Sequence, residues 1–148
     1  MLNTNVNPFD ILLVEDEPAD ANLVRAALKA GKVFCNLHIV ADGVEAMAFL
    51  KREGEYQDAP KPDLILLDLN MPRMNGREFL ATAKADDVLD SIPVVVLTTS
   101  DVERDVVTSY KLGAAGYITK PVDMEQFIDA IRQIGSYWFV LARLPQKA

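Results

Sequence analysis

Two short runs, LILL at Leu64 to Leu67 and VVVL at Val94 to Leu97, are apolar at every position, and each is followed at once by a polar residue, Asp68 and Thr98. Side chains of a strand point alternately to its two faces, so a strand with no polar alternation has no face to offer to water. Such strands belong in the middle of a parallel sheet with helices on both sides. That requirement limits the chain to the α/β architectures more sharply than anything in its overall composition.

The remaining segments supply the rest of such a sheet. Asp10 to Val14 reads as a strand running into Glu15-Asp16-Glu17, and Pro18 suits the first turn of a helix with Leu23, Ala27 and Leu28 as its apolar stripe. Cys35 to Val40 is a second strand, and Asp42-Gly43 opens a helix with Ala46, Phe49 and Leu50 facing inward. Arg52 to Pro62 reads as a surface loop. Gly76 precedes a helix carrying Phe79, Leu80 and Ala83; Asp101 to Leu112 reads as a helix, Tyr117-Ile118 as a short strand, and Asp123 begins a last helix. Five strand–helix units in series predict an α/β, doubly wound, five-stranded parallel sheet. The expected domain covers residues 9–140, with 141–148 a C-terminal extension of the last helix and a tail.

Charge and cysteine content narrow the function. The formal net charge is −7, with no Lys/Arg run, which argues against nucleic acid or an anionic membrane as partner. Cys35 is the single cysteine and His38 the single histidine, so a disulfide within the chain and a His-rich metal site are both excluded. Cys35 and His38 are three apart on one strand and should face opposite sides of the sheet, which disfavours a catalytic pair. No signal-peptide pattern and no membrane-length apolar run is present, so a soluble cytoplasmic protein is expected.

In a doubly wound sheet, ligands bind beyond the carboxyl ends of the strands. The polar residues that follow the strands here are Glu15-Asp16, Asp68, Thr98-Thr99-Ser100 and Lys120-Pro121, which would meet on one rim. Two like charges about 4 Å apart repel by roughly 4 kcal/mol at an effective dielectric of 20. Three carboxylates therefore call for compensation. Hard oxygen donors suit Mg²⁺, and Lys120 can add a second positive charge. A solvated acidic rim without metal would account for Glu15 or Glu17 alone but leaves Lys120 unexplained.

The segments LLVEDE, LILLDLNMPRMNG, VVVLTTS and GYITKP, with the intervals from Asp68 to Thr98 and from Thr98 to Lys120, resemble the receiver domains of two-component response regulators of the chemotaxis-protein-Y type. The resemblance runs from about Phe9 to Phe139. It implies a flavodoxin-like strand order of 2-1-3-4-5. It also implies a protein that is not an enzyme in the turnover sense: a phosphoprotein in phosphorelay signal transduction that assists its own phosphorylation and slow dephosphorylation. Asp68 would accept a phosphoryl group from a histidine kinase. Asp16, Asp68 and the main-chain carbonyl of Asn70 would bind Mg²⁺, with Glu15 acting through a water. Lys120, the Thr98 hydroxyl and the Thr99 N–H would contact the phosphoryl oxygens. Thr98 and Tyr117 would form the switch, and Lys120-Pro121 is a candidate for a cis peptide bond.

No length remains for an output domain, so a stand-alone receiver acting through protein binding is expected. The long loop REGEYQDAPKP, the GREFL and VVVLTTS segments, and the aromatic end closing in Leu-Pro resemble the response regulators of bacterial and cyanobacterial phytochromes. That likeness implies a phytochrome-type kinase as partner and a homodimer formed through the last helix and tail. Tyr137, Trp138, Phe139 and Leu141 lie in a stretch too evenly apolar for an amphipathic helix, which buries one stripe only. Two alternatives are a phosphorylation-independent scaffold and an aspartate-nucleophile phosphatase. The phosphatase needs a second acid two residues beyond its nucleophile, where this chain has Asn70.

Overall fold

A computed structural model describes residues 9–30, 35–69, 73–99, 113–121, 123 and 125–127. Five parallel strands, β1 (Phe9–Val14), β2 (Cys35–Val40), β3 (Leu64–Asp68), β4 (Val94–Thr98) and β5 (Gly116–Thr119), form one sheet in the order β2-β1-β3-β4-β5. Helices α1 (Pro18–Ala30), α2 (Gly43–Lys51) and α3 (Gly76–Lys84) follow β1, β2 and β3. This is the flavodoxin-like arrangement. The expected helix at 101–112, the residue Asn70 and the aromatic segment containing Tyr137, Trp138, Phe139 and Leu141 lie outside the described residues.

Every residue of β3 and β4 is buried, as two-sided apolar strands require. Alternation sends Ile11, Leu13, Leu64, Leu66, Val95, Leu97 and Ile118 to one face, where Ala21, Val24 and Leu28 of α1 and Phe127 cover them. Leu12, Val14, Ile65, Leu67, Val94 and Val96 go to the other, under Ala46 and Phe49 of α2 and Phe79, Leu80 and Ala83 of α3. Cys35 packs on the first face, while the His38 ring meets that of Phe49, a member of the second cluster, at 5.3 Å. The two are separated by the sheet, as their odd spacing requires.

Two expectations need correction. Leu23 is 50% exposed; the buried stripe of α1 is Ala21, Val24 and Leu28. At about 100° per residue, positions 21, 24 and 28 share a face and 23 points away from it. The segment from Arg52 to Pro62 is not simply a surface loop. It contains a 3-10 turn at Gly54–Tyr56, and Tyr56 packs against the second core cluster while donating its hydroxyl hydrogen to Glu45 Oε1 at 3.1 Å.

Candidate functional site

Strand register brings the site together. Val14 stands beside Leu67, so Glu15 emerges level with Asp68; Asp68 stands beside Leu97, and Thr98 beside Thr119, which precedes Lys120. Parallel strands with matched carboxyl ends thus bring residues from widely separated segments to one rim. The chain then turns back at once. Asp68 closes β3 inside the sheet and is 4% exposed. Behind it the Gly76 N–H donates to the Leu69 carbonyl at 3.0 Å. A Cβ on Gly76 would lie 2.6 Å from both the Asp68 carbonyl oxygen and Leu69 Cα, so only glycine lets α3 begin so close to the strand end.

Glu15, Asp16 and Asp68 each place a carboxylate oxygen within 4.8 Å of the others, with Glu15 and Asp68 buried and Asp16 exposed. The Lys120 ammonium lies among the acids, 2.6 Å from Glu15 Oε1, 3.0 Å from Asp20 Oδ2 and 3.4 Å from Asp68 Oδ2. Burial pushes the Glu15 carboxyl up to about 7; Lys120 opposes the shift and Asp68 adds to it. Burial works against the charge on Lys120, but Glu15, Asp20 and Asp68 outweigh it and raise its pKa above the ordinary lysine value. The lysine therefore remains a cation. Three clustered hard oxygen donors, one of them open to solvent, fit a small divalent cation that keeps part of its water shell.

Thr98 is fully buried and its hydroxyl donates to the Ile118 carbonyl at 3.5 Å, a long contact. It follows Val94 and Val96 on the second face of the sheet, the face against which the half-buried Tyr117 packs. Thr99 lines a cleft of about 400 Å³ with Asp20, Leu23, Val24, Lys120 and Pro121. The Lys120-Pro121 peptide is cis.

Glu15, Asp16, Asp68, Thr98, Thr99 and Lys120 thus gather at one end of the sheet. Sequence reasoning missed Asp20. It lies in the first turn of α1, and no local pattern marks it as a partner of Lys120. A second omission is the contact between Asp42 and Arg73. Asp42 caps α2 by accepting from the Glu45 N–H at 2.9 Å, and its other carboxylate oxygen accepts from Arg73 Nε at 2.7 Å. With the Gly43 N–H donating to the Met74 carbonyl at 2.9 Å, this ties the β3–α3 connection to the start of α2.

Comparison with known proteins gives a consistent result. Residues 11–132 match the family described as the response regulator receiver domain. The chain is 47% identical to the response regulator Rcp1 of Synechocystis sp. over 138 residues, covering 93% of this chain and 94% of that protein. A structure of the Mn²⁺-bound form of Rcp1 aligns with a TM-score of 0.71 at 47% identity, covering 94% of this chain and 100% of Rcp1. The phosphorylated cyanobacterial phytochrome response regulator RcpA aligns with a TM-score of 0.72 at 47% identity, over 93% of this chain and 99% of that one. The bacteriophytochrome response regulator RtBRR aligns at 0.80 with 43% identity, over 86% and 78%.

Proposed function

Because the chain belongs to the response-regulator receiver family, we propose that Asp68 is its phosphoacceptor and that the donor is the phosphohistidine of a phytochrome-type histidine kinase. In the transfer, an Asp68 carboxylate oxygen forms a bond to phosphorus as the phosphorus–nitrogen bond breaks. The electron pair of that bond stays on the imidazole, which takes a proton from solvent. Phosphoryl transfer asks a protein mainly for positioning and charge stabilisation. Lys120 supplies a fixed cation beside the acceptor, and the Thr98 hydroxyl and Thr99 N–H supply donors to the phosphoryl oxygens. Asp16, Asp68 and the Asn70 carbonyl would hold Mg²⁺, with Glu15 acting through a water. The metal would neutralise phosphoryl charge.

The observation that carries this reading is the Lys120 ammonium 3.4 Å from Asp68 within a cluster of three carboxylates. The Mn²⁺-bound Rcp1 and the phosphorylated RcpA support it by likeness. The protein is then a cytoplasmic phosphoacceptor that assists its own phosphorylation and slow dephosphorylation, with Thr98 and Tyr117 carrying the change to a protein-binding surface. The receiver would occupy 9–140, with homodimerisation through Tyr137, Trp138, Phe139 and Leu141. Sedimentation of a variant with Trp138 and Phe139 made polar tests the dimer, and an unchanged mass refutes it.

The decisive test of the acceptor is intact mass after incubation with Mg²⁺ and acetyl phosphate. One added phosphoryl group, absent from Asp68→Asn, is the expected result. A gain that persists in Asp68→Asn would move the acceptor elsewhere.

A further inference from the structure

The Lys120 ammonium has three protons, and three carboxylates surround it. The function proposed above uses Glu15 and Asp68 but leaves Asp20 without a role. Asp20 reaches Lys120 from the first turn of α1 at 3.0 Å, closer than Asp68 does. It is also the most exposed of the three, its side chain 37% accessible against 0% for Glu15 and 6% for Asp68.

We propose that Asp20 is a positioning residue that competes with the phosphoryl group for Lys120, holding the lysine in the resting state and giving it up when Asp68 is phosphorylated. The proposal rests on the reading of Asp68 as phosphoacceptor. Phosphorylation brings about 1.5 to 2 negative charges and three acceptor oxygens to the site. The contact of Lys120 with Asp68, at 3.4 Å the longest of the three, passes to the phosphoryl group, whose added charge draws the ammonium away from the two contacts that remain. Releasing Glu15 would leave a buried carboxylate without its cation, which is costly. Releasing Asp20 returns to water a carboxylate that is already 37% accessible on the cleft wall, so less is lost than with Glu15. The exchange therefore runs through Asp20. Until it happens, the Asp20 contact is part of the barrier to phosphorylation, so removing its charge should free the lysine in advance.

Asp20 also lines the cleft beside Lys120 and Thr99, so its charge could simply repel an anionic donor from a distance. Salt separates the two effects. The experiment measures the initial rate of phosphorylation by acetyl phosphate with Mg²⁺ for the wild type, Asp20→Asn, Asp20→Glu and Glu17→Gln. Glu17 is exposed and its carboxylate accepts from the Ala19 N–H, so Glu17→Gln removes one charge from the same rim and leaves the contacts of Lys120 in place.

Asp20→Asn should react about two- to five-fold faster than wild type, the range of one partly solvated ion pair. The gain should persist in about 1 M salt, where screening acts within about 3 Å. Asp20→Glu and Glu17→Gln should match the wild type at that salt. An Asp20→Asn rate equal to or below wild type in high salt would overturn the proposal, as would an equal gain in Glu17→Gln. A wild type that takes no phosphoryl group would instead refute the reading of Asp68. A wild type phosphorylated on Asp68 at a rate indifferent to Asp20 would refute this inference alone.

Discussion

Arg73 donates its Nε hydrogen to Asp42 at 2.7 Å from a backbone in the left-handed region, with φ 59°. A glycine would sit there without steric cost, so the arginine side chain must repay the strain through what it holds. Asp42 is 4% exposed. Burial works against its ionisation, but the Glu45 N–H and the Arg73 guanidinium outweigh it and hold the carboxyl below the usual range. A carboxyl depressed in the folded state contributes stability that is present above its unfolded value, about 3.9, and lost as pH falls through the folded value. Asp42→Asn keeps an N-cap oxygen but loses the charge. It should be less stable than wild type at pH 7, and the gap should begin to narrow as pH falls below about 4 and close only once pH is below the depressed folded-state value. Chemical denaturation at the two pH values measures this, and a gap that persists in acid would refute it.

The acidic cluster makes a prediction about metal. Asp16 is the exposed member of the trio and adds like charge beside two buried carboxylates. Without divalent cation, Asp16→Asn should be at least as stable as wild type, with a gain of no more than about 1 kcal/mol because the group is solvated. Adding Mg²⁺ should reverse the order. A ligand that binds only the folded protein stabilises it by about 2.7 kcal/mol at 100 times its dissociation constant, and on the proposed ligand set only the wild type would retain every donor. Melting curves with EDTA and with Mg²⁺ test both arms. Equal Mg²⁺ stabilisation of the two proteins would remove Asp16 from the ligand set.

Two glycines separate steric need from backbone need. At Gly76 a Cβ would meet the main chain of Asp68 and Leu69 at 2.6 Å. Gly76→Ala should destabilise by about 1–3 kcal/mol, the usual cost of overpacking, and should slow phosphorylation because the displaced backbone is that of Asp68. At Gly54 φ is +59° and nothing lies within 4 Å, so Gly54→Ala meets only the left-handed penalty, about 1 kcal/mol. Its phosphorylation rate should equal that of wild type. A Gly76→Ala protein that folds and reacts like wild type would show that the α3 start can recede from Asp68.

How much of this was legible in the sequence follows from the range of each interaction. Asp68, Glu15 and Lys120 could be placed on one rim because a parallel sheet aligns strand ends, and the apolar runs before them mark those ends. The strand order came from the resemblance rather than from periodicity. Asp20 was not visible as a partner of Lys120, since the contact joins residues 100 apart and depends on how α1 is rotated. The same rotation exposes Leu23 and buries Val24. Tyr56 lies in a segment whose composition signals a loop, and only the tertiary packing of its ring on Phe49 and its hydroxyl on Glu45 ties it to the edge of the core. The Asp42–Arg73 pair joins two connections distant in sequence, and no local pattern announces it.

Thr98 should separate folding from signalling. Its buried hydroxyl makes one long contact, 3.5 Å to the Ile118 carbonyl. Valine has nearly the same shape and surrenders, among the described residues, that one bond, so Thr98→Val should cost no more than about 1.5 kcal/mol. The functional loss should be larger. Without the hydroxyl, a phosphoryl group on Asp68 has no donor at this position, and nothing draws the end of β4 toward it. Tyr117 packs on the same face of the sheet, level with Val96 on the neighbouring strand. A ligand can shift a two-state equilibrium only by its differential interaction with the two states. Thr98→Val should therefore still gain a phosphoryl group by mass while the Tyr117 ring resonances, followed by NMR, stay where they are in the unphosphorylated protein. In the wild type they should move. A full shift of those resonances in phosphorylated Thr98→Val would disconnect the hydroxyl from the switch.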